Sequence, residues 1–308
     1  MAKAWIGTSG WSYPDWKTDF YEGVPQKRWL GHFATRFPTV EVNAVFYRLP
    51  RREWVDRWAS AVPANFRFAI KLWRQVTHYQ RLQDPERFLD LYVDVMSALP
   101  PAKRGPILVQ LPPQLDVDER ALDHVLGQLR ERVRTWPIAV EFRNQTWFTD
   151  TAAVRMLEAH DVALCVHDMA RGAPVQQPND ASFVYVRRHG PKRRYAGSYT
   201  DERVAEDARQ VAEWVEGGRD VYVYYNNDRG GNAHRNARSL ADALGSLAVK
   251  PARARKAAAV VGKPAVATRK APQEGGMPAR PSLSRRAAPA QVPDEDRDQH
   301  GWTPGRRT

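Results

Sequence analysis

Phe183-Val184-Tyr185-Val186-Arg187-Arg188-His189 and, further along, Val221-Tyr222-Val223-Tyr224-Tyr225-Asn226-Asn227 carry the pattern that decides the fold. Successive side chains of a strand point to opposite faces. In both runs one face is valine, which suits contact with a layer of helices. The other face starts aromatic and ends polar, in Arg187 and His189 or in Asn226. A strand with these two faces belongs in a closed barrel, apolar outside and filled by side chains inside.

Six further runs upstream have the same character: Trp5–Thr8, Thr39–Asn43, Arg67–Leu72, Ile107–Leu111, Ile138–Phe142 and Ala163–Asp168. Amphipathic stretches with helical spacing separate most of them: Pro25–Phe37, Arg52–Val62, Pro85–Leu99, Glu119–Val133, Asp150–His160 and Asp201–Glu216, with Ala233–Leu244 after the last strand. Only the link between the sixth and seventh strands lacks a clear helix. Strands alternating with helices imply a parallel sheet with crossover helices. No Gly-x-Gly-x-x-Gly follows the first strand, which disfavours a dinucleotide-binding sheet. The expected fold is α/β, a TIM-like (β/α)8 barrel over residues 1–247, followed by a disordered basic C-terminal tail over 248–308.

The tail expectation comes from composition. Of the net charge of +12, +8 lies in residues 249–308, where 13 Lys and Arg stand against 5 Asp and Glu, leaving +4 for the rest. The basic excess therefore says little about the barrel. The Ala-, Pro-, Arg- and Lys-rich tail has too little apolar surface to offset its ordering entropy. Cys165 is the sole cysteine, so no intramolecular disulfide forms, and no run approaches the roughly 20 apolar residues of a membrane span. A cytoplasmic protein without membrane contact is expected.

Several motifs occur in order along the barrel: Gly7-Thr8-Ser9-Gly10-Trp11-Ser12-Tyr13 with Trp16, Val40-Glu41-Val42-Asn43 with Phe46-Tyr47-Arg48, and Phe66-Arg67-Phe68-Ala69-Ile70-Lys71. Thr77-His78, Gln110-Leu111-Pro112-Pro113, Glu141-Phe142-Arg143 with Trp147, and Asp168 follow. Tyr185 to Gly190, Asn226-Asn227-Asp228 and Asn236-Ala237 complete the series. Together they resemble the DUF72, or YecE-like, family over residues 5 to about 244. The chain departs from the family pattern at Ala44-Val45, where small hydroxyl residues are usual, and at Tyr225, where Phe is usual. The resemblance implies a TIM-like barrel and no particular activity, because a barrel fold hosts many chemistries.

With the β-branched residues facing outward, alternation turns Ser9, Glu41, Asn43, Lys71, Gln110, Glu141, Arg143, His167, Arg187, His189 and Asn226 inward, near the strands' C-terminal ends. Barrel enzymes place their sites there. The bland alternative is a self-satisfied polar plug, with Glu141 paired to Lys71 or Arg143. Burying so many charges without a use for them costs more than it stabilises. The expected site has Glu141, Lys71 and His189 as catalytic groups. Arg187, Arg143, Asn43, Gln110, Asn226, Trp11 and Tyr195 are its substrate-binding groups.

Cations outnumber carboxylates in this ring, which suits a small anionic ligand bearing carboxylate or phosphate, sugar- or nucleotide-like. Acid/base chemistry without metal or cofactor is expected. A divalent ion held by Glu141, Asp168, His189 and Asn226 is the weaker reading. The basic loop Pro191-Lys192-Arg193-Arg194-Tyr195 adds positive charge, Thr77-His78 suits a lid, and Asp228-Arg229-Gly230-Gly231-Asn232 suits either a phosphate cradle or a simple turn capped by Asn232. Two other functions stand beside the enzyme: weak nucleic-acid contact through the tail, and a non-catalytic ligand-binding barrel.

Overall fold

The structure is a computed structural model and describes residues 1–252 except 150, 170–176 and 192–194. The tail from 253 and the basic loop residues 192–194 therefore lie outside the described residues.

Eight parallel strands close in sequence order. They are β1 (Ala4–Ser9), β2 (Thr39–Val42), β3 (Arg67–Lys71), β4 (Arg104–Gln110), β5 (Ile138–Glu141), β6 (Val162–His167), β7 (Phe183–Arg188) and β8 (Asp220–Tyr225). The helices are α1 (Trp29–Phe33), α2 (Ala44–Tyr47), α3 (Arg52–Ala61), α4 (Glu86–Met96), α5 (Glu119–Val133), α6 (Thr151–Ala159), α7 (Asp201–Glu216) and α8 (Asn232–Leu244). The two longest helices, α5 and α7, start where polar side chains take up orphan backbone donors. Asp118 accepts from Ala121 N (3.0 Å) and Thr200 from Arg203 N (3.3 Å). Leu122, Val125, Leu126 and Leu129 of α5 are fully buried against the barrel.

The first helical stretch is shorter than its periodicity predicts. A 3-10 turn over Gln26–Arg28 leads into five α-helical residues, and a Cβ on Gly31 would stand 3.3 Å from the Ala61 carbonyl oxygen. That close approach to α3 leaves α1 little room for a side chain at its centre. Short pieces also escape periodicity, as α2 and a π-helical turn over Gln75–Tyr79 show.

The outward valines and isoleucines join the helix faces in the main core, while the lumen is filled by a second set of side chains. Its filling is lopsided. Tyr185, Tyr222 and Tyr224 project from β7 and β8, whereas β3, β5 and β6 contribute Ala69, Ala139 and Ala163. A Cβ on Gly7 of β1 would stand 2.2 Å from the Thr39 carbonyl oxygen of β2, so only glycine fits that close strand approach. The lumen is thus a packed core up to its polar rim.

At the opposite, N-terminal end the chain closes on itself. After α8, Leu247 O accepts from Ala4 N (3.0 Å) and Ala4 O from Val249 N (2.8 Å), so the chain stays fastened to β1 as far as 249. No helix among the described residues is long and apolar enough to cross a membrane.

Candidate functional site at the C-terminal rim

Arg187, on β7 and 1% exposed, is the hub of the rim. Its Nη2 donates to Glu41 Oε1 (2.8 Å) and its Nη1 to Glu141 Oε2 (2.5 Å). One planar guanidinium thus spans two acids on opposite sides of the lumen, which its fork of donors permits and an ammonium does not. Glu41 also accepts from Ser9 Oγ (2.6 Å) and Tyr185 OH (2.7 Å), and Glu141 from Arg143 Nε (2.6 Å). Both carboxylates are fully buried. Burial alone would raise their pKa values. The arginines outweigh it, Arg187 for Glu41 and Arg187 with Arg143 for Glu141, holding Glu41 below and Glu141 well below the ordinary carboxylate range.

His189 is also buried, and burial, reinforced by Arg187, lowers its pKa to about 4. Its Nε2 lies 3.7 Å from Glu141 Oε2 and 3.4 Å from Arg187 Nη1, and its Nδ1 lies 3.1 Å from Asn226 Nδ2. An unfolded chain takes up a proton at His189 near pH 6.5, whereas the folded protein resists until about pH 4. The resulting stability is complete above pH 6.5 and declines as the pH falls towards 4, by up to about 3 kcal/mol for this one group. Urea unfolding at pH 7 and pH 4.5 should show a shallower decline in His189→Gln than in the parent protein; equal declines would assign the acid sensitivity elsewhere.

Other rim side chains approach from the far side. Lys71, 4% exposed at the end of β3, places Nζ 3.7 Å from the centre of the Phe46 ring, a cation–π seat. His78 of the Gln75–Tyr79 turn lies edge-on to the same ring at 4.8 Å. Asn43, Gln110 and Asn226 are buried at the ends of β2, β4 and β8. Tyr195, with φ of 65°, sits with its ring 5.9 Å from that of His189. Trp11 packs edge-on against Trp58 of α3. Trp16 and Trp147 are buried in loop packing, the latter stacked on Phe142 at 4.7 Å.

Two expectations need correction. Asp168 does not join Glu141: it accepts from His189 N (2.8 Å) and Tyr199 OH, fastening the backbone after β7. His167 takes its place beside Glu141 and His189, the ligand atoms of these three residues lying within 4.8 Å of one another. They do not fit a metal ion. Arg187 Nη1 holds the Glu141 oxygen nearest His189, and His167 is spent on backbone, with Nε2 2.8 Å from Phe142 O and Nδ1 accepting from Met169 N at 3.2 Å.

The glycine turn before α8 is not an anion cradle either. Asp15 accepts from Gly230 N (3.3 Å), and Asp19 pairs with Arg235 (2.8 Å) and lies 3.2 Å from His234 Nε2. Carboxylates of the β1 loop thus already occupy that helix end. Asn232 donates to Arg229 O instead of capping, and Gly231, at φ 73°, is the cap residue.

Sequence reasoning turned Ser9, Tyr185 and His167 inward but gave them no site role. Ser9 and Tyr185 are the donors that fix Glu41, and His167 stands beside Glu141; alternation was the available signal.

A closed eight-stranded parallel barrel with charged groups gathered at its C-terminal end defines a TIM-barrel protein. The chain belongs to the family described as "Protein of unknown function DUF72", whose model matches residues 5–259. UPF0759 protein YunF of Bacillus subtilis is 24% identical over 268 residues, covering 78% of this chain and 94% of its own. The crystal structure of a DUF72 family protein from Thermotoga maritima superposes with a TM-score of 0.70 at 25% identity, covering 79% of this chain and 99% of that one. Another from Enterococcus faecalis gives 0.66 at 22%, covering 79% and 95%.

Proposed function

We propose that the rim binds a small carboxylate- or phosphate-bearing ligand and transforms it by proton transfer, using side chains alone. The observation that carries this reading is the pairing of two buried carboxylates, held below their ordinary range, with a guanidinium hub, around which further cationic and imidazole groups collect. Glu41 and Glu141 hold Arg187, and Glu141 holds Arg143, whose side chain keeps 8% exposure. Arg143 and Lys71 present positive charge to the anionic head, while Trp11 and Tyr195 flank it. His189, beside Glu141, is one group able to exchange a proton, and Lys71 is the second.

The test is a melting-temperature screen of small carboxylates and phosphate monoesters, followed by turnover assays on any that bind. A ligand of this site stabilises the parent protein by mass action. Arg143→Ala should weaken it at least about tenfold, the scale of one charge-assisted hydrogen bond. Lys71→Met should abolish turnover with the fold intact. A screen in which no anion stabilises the protein at millimolar concentration, or in which Arg143→Ala binds as the parent does, removes the proposal.

A further inference from the structure

Three amide oxygens at the rim have no hydrogen-bond donor among the described residues: Asn43 Oδ1 at the β2 end, Gln110 Oε1 on β4 and Asn226 Oδ1 just beyond β8. All three residues are at least nine-tenths buried, with exposures of 4%, 1% and 1%. An acceptor withheld from water without a donor costs free energy, and native structures seldom leave several in one place. Their orientations follow from the opposite ends of the amides. Gln110 Nε2 donates to Leu111 O (2.8 Å), and Asn226 Nδ2 is the end turned to His189 Nδ1 (3.1 Å), so in each the oxygen is the end left over.

Strand alternation turns all three towards the lumen, where the proposed anion site lies. β8 and β2 flank β1, and β2 and β4 flank β3, so these acceptors are spread over half the barrel circumference. Alternate strands stand roughly 9–10 Å apart.

We infer that the ligand is a hydroxyl-rich anion, a sugar acid or sugar phosphate, whose hydroxyl groups donate to Asn43, Gln110 and Asn226 while its charged end meets the rim cations. The inference rests on the anion reading given above and adds the uncharged part of the molecule. A lone ammonium is the other source of donors. It would be repelled by Arg143 and Arg187 and cannot reach acceptors so far apart, whereas hydroxyls along a chain of several carbons can. Each acceptor satisfied only in the complex favours ligands that carry the matching hydroxyl over those that lack it.

Titration calorimetry on the full chain with four probes separates the possibilities: gluconate, hexanoate (the same head without hydroxyls), glucitol (the hydroxyls without the head) and glucose 6-phosphate. Gluconate or glucose 6-phosphate should bind at least about tenfold tighter than hexanoate and than glucitol. Which of the two is tighter identifies the head group. Asn43→Leu and Gln110→Met should each shrink the preference for gluconate over hexanoate by about threefold or more, leaving hexanoate affinity unchanged.

A purely structural role for Asn43 makes a different forecast. Removing it would then lower the melting temperature and leave the preference alone, whereas a ligand-reserved acceptor can be lost without harm to the free protein. If hexanoate binds as tightly as gluconate, the hydroxyl inference falls and the anion site stands. If none of the charged probes binds, both fall.

Discussion

Arg187→Met is expected to destabilise the protein by about 3–5 kcal/mol at pH 7, the usual cost of stripping the partner from buried charges. The loss is concentrated because one side chain serves both Glu41 and Glu141. In the parent protein both acids are held below their ordinary range, so their contribution is present above about pH 4.3 and is lost only as the pH falls through the lowered values. Without Arg187, burial dominates and their pKa values rise, so the variant regains stability as it is acidified towards pH 5. The gap between parent and variant, measured by guanidinium chloride unfolding, should therefore narrow from pH 7 to pH 5. A gap independent of pH would show that the carboxylates do not depend on Arg187. Arg187→Lys should recover only part of the loss, because an ammonium cannot fork across the lumen.

Trp16→Ala is expected to cost about 3–5 kcal/mol, as for other large buried aromatics. Trp16 is wholly buried in the loop after β1, its ring 4.7 Å from that of Tyr13, 5.6 Å from Phe20 and 5.0 Å from His234. Its Nε1 donates to Asp228 O (3.1 Å), tying the β1 loop to the loop beyond β8. Trp16→Phe keeps much of the contact area but loses this bond and part of the packing, so it should cost about 1–2 kcal/mol. Thermal unfolding of the two variants measures both. Equal losses would mean that the hydrogen bond, not the packing, carries the effect.

Much of this architecture is legible in the sequence because the barrel forces two chemistries onto each strand. Val184 and Val186 identify the outer face of β7, and Tyr185, Arg187 and His189 then have to enter the lumen. The same logic brings Glu41, Glu141 and Asn226 to one end without any knowledge of their neighbours. What alternation cannot give is which of them touch. That Arg187 reaches Glu41, 146 positions away, as well as Glu141 depends on strand stagger and on the small residues that leave the lumen open for its side chain. The occupation of the α8 start by Asp15 and Asp19 is equally hidden. Those carboxylates come from the other end of the chain, and a glycine pair before a helix looks the same in sequence whether an anion or an aspartate fills it. Asp168 follows the inward His167, so alternation itself turns it away from Glu141, towards His189 N and Tyr199 OH.

The fastening of Ala4 to Leu247 and Val249 sets how the molecule can be held. The chain enters β1, and α8 returns, at the face opposite the charged rim. A tether, affinity handle or sensor surface coupled through the exposed Met1 thus grips the barrel from below. The rim lies at the other end, so immobilisation by Met1 does not obstruct access to it.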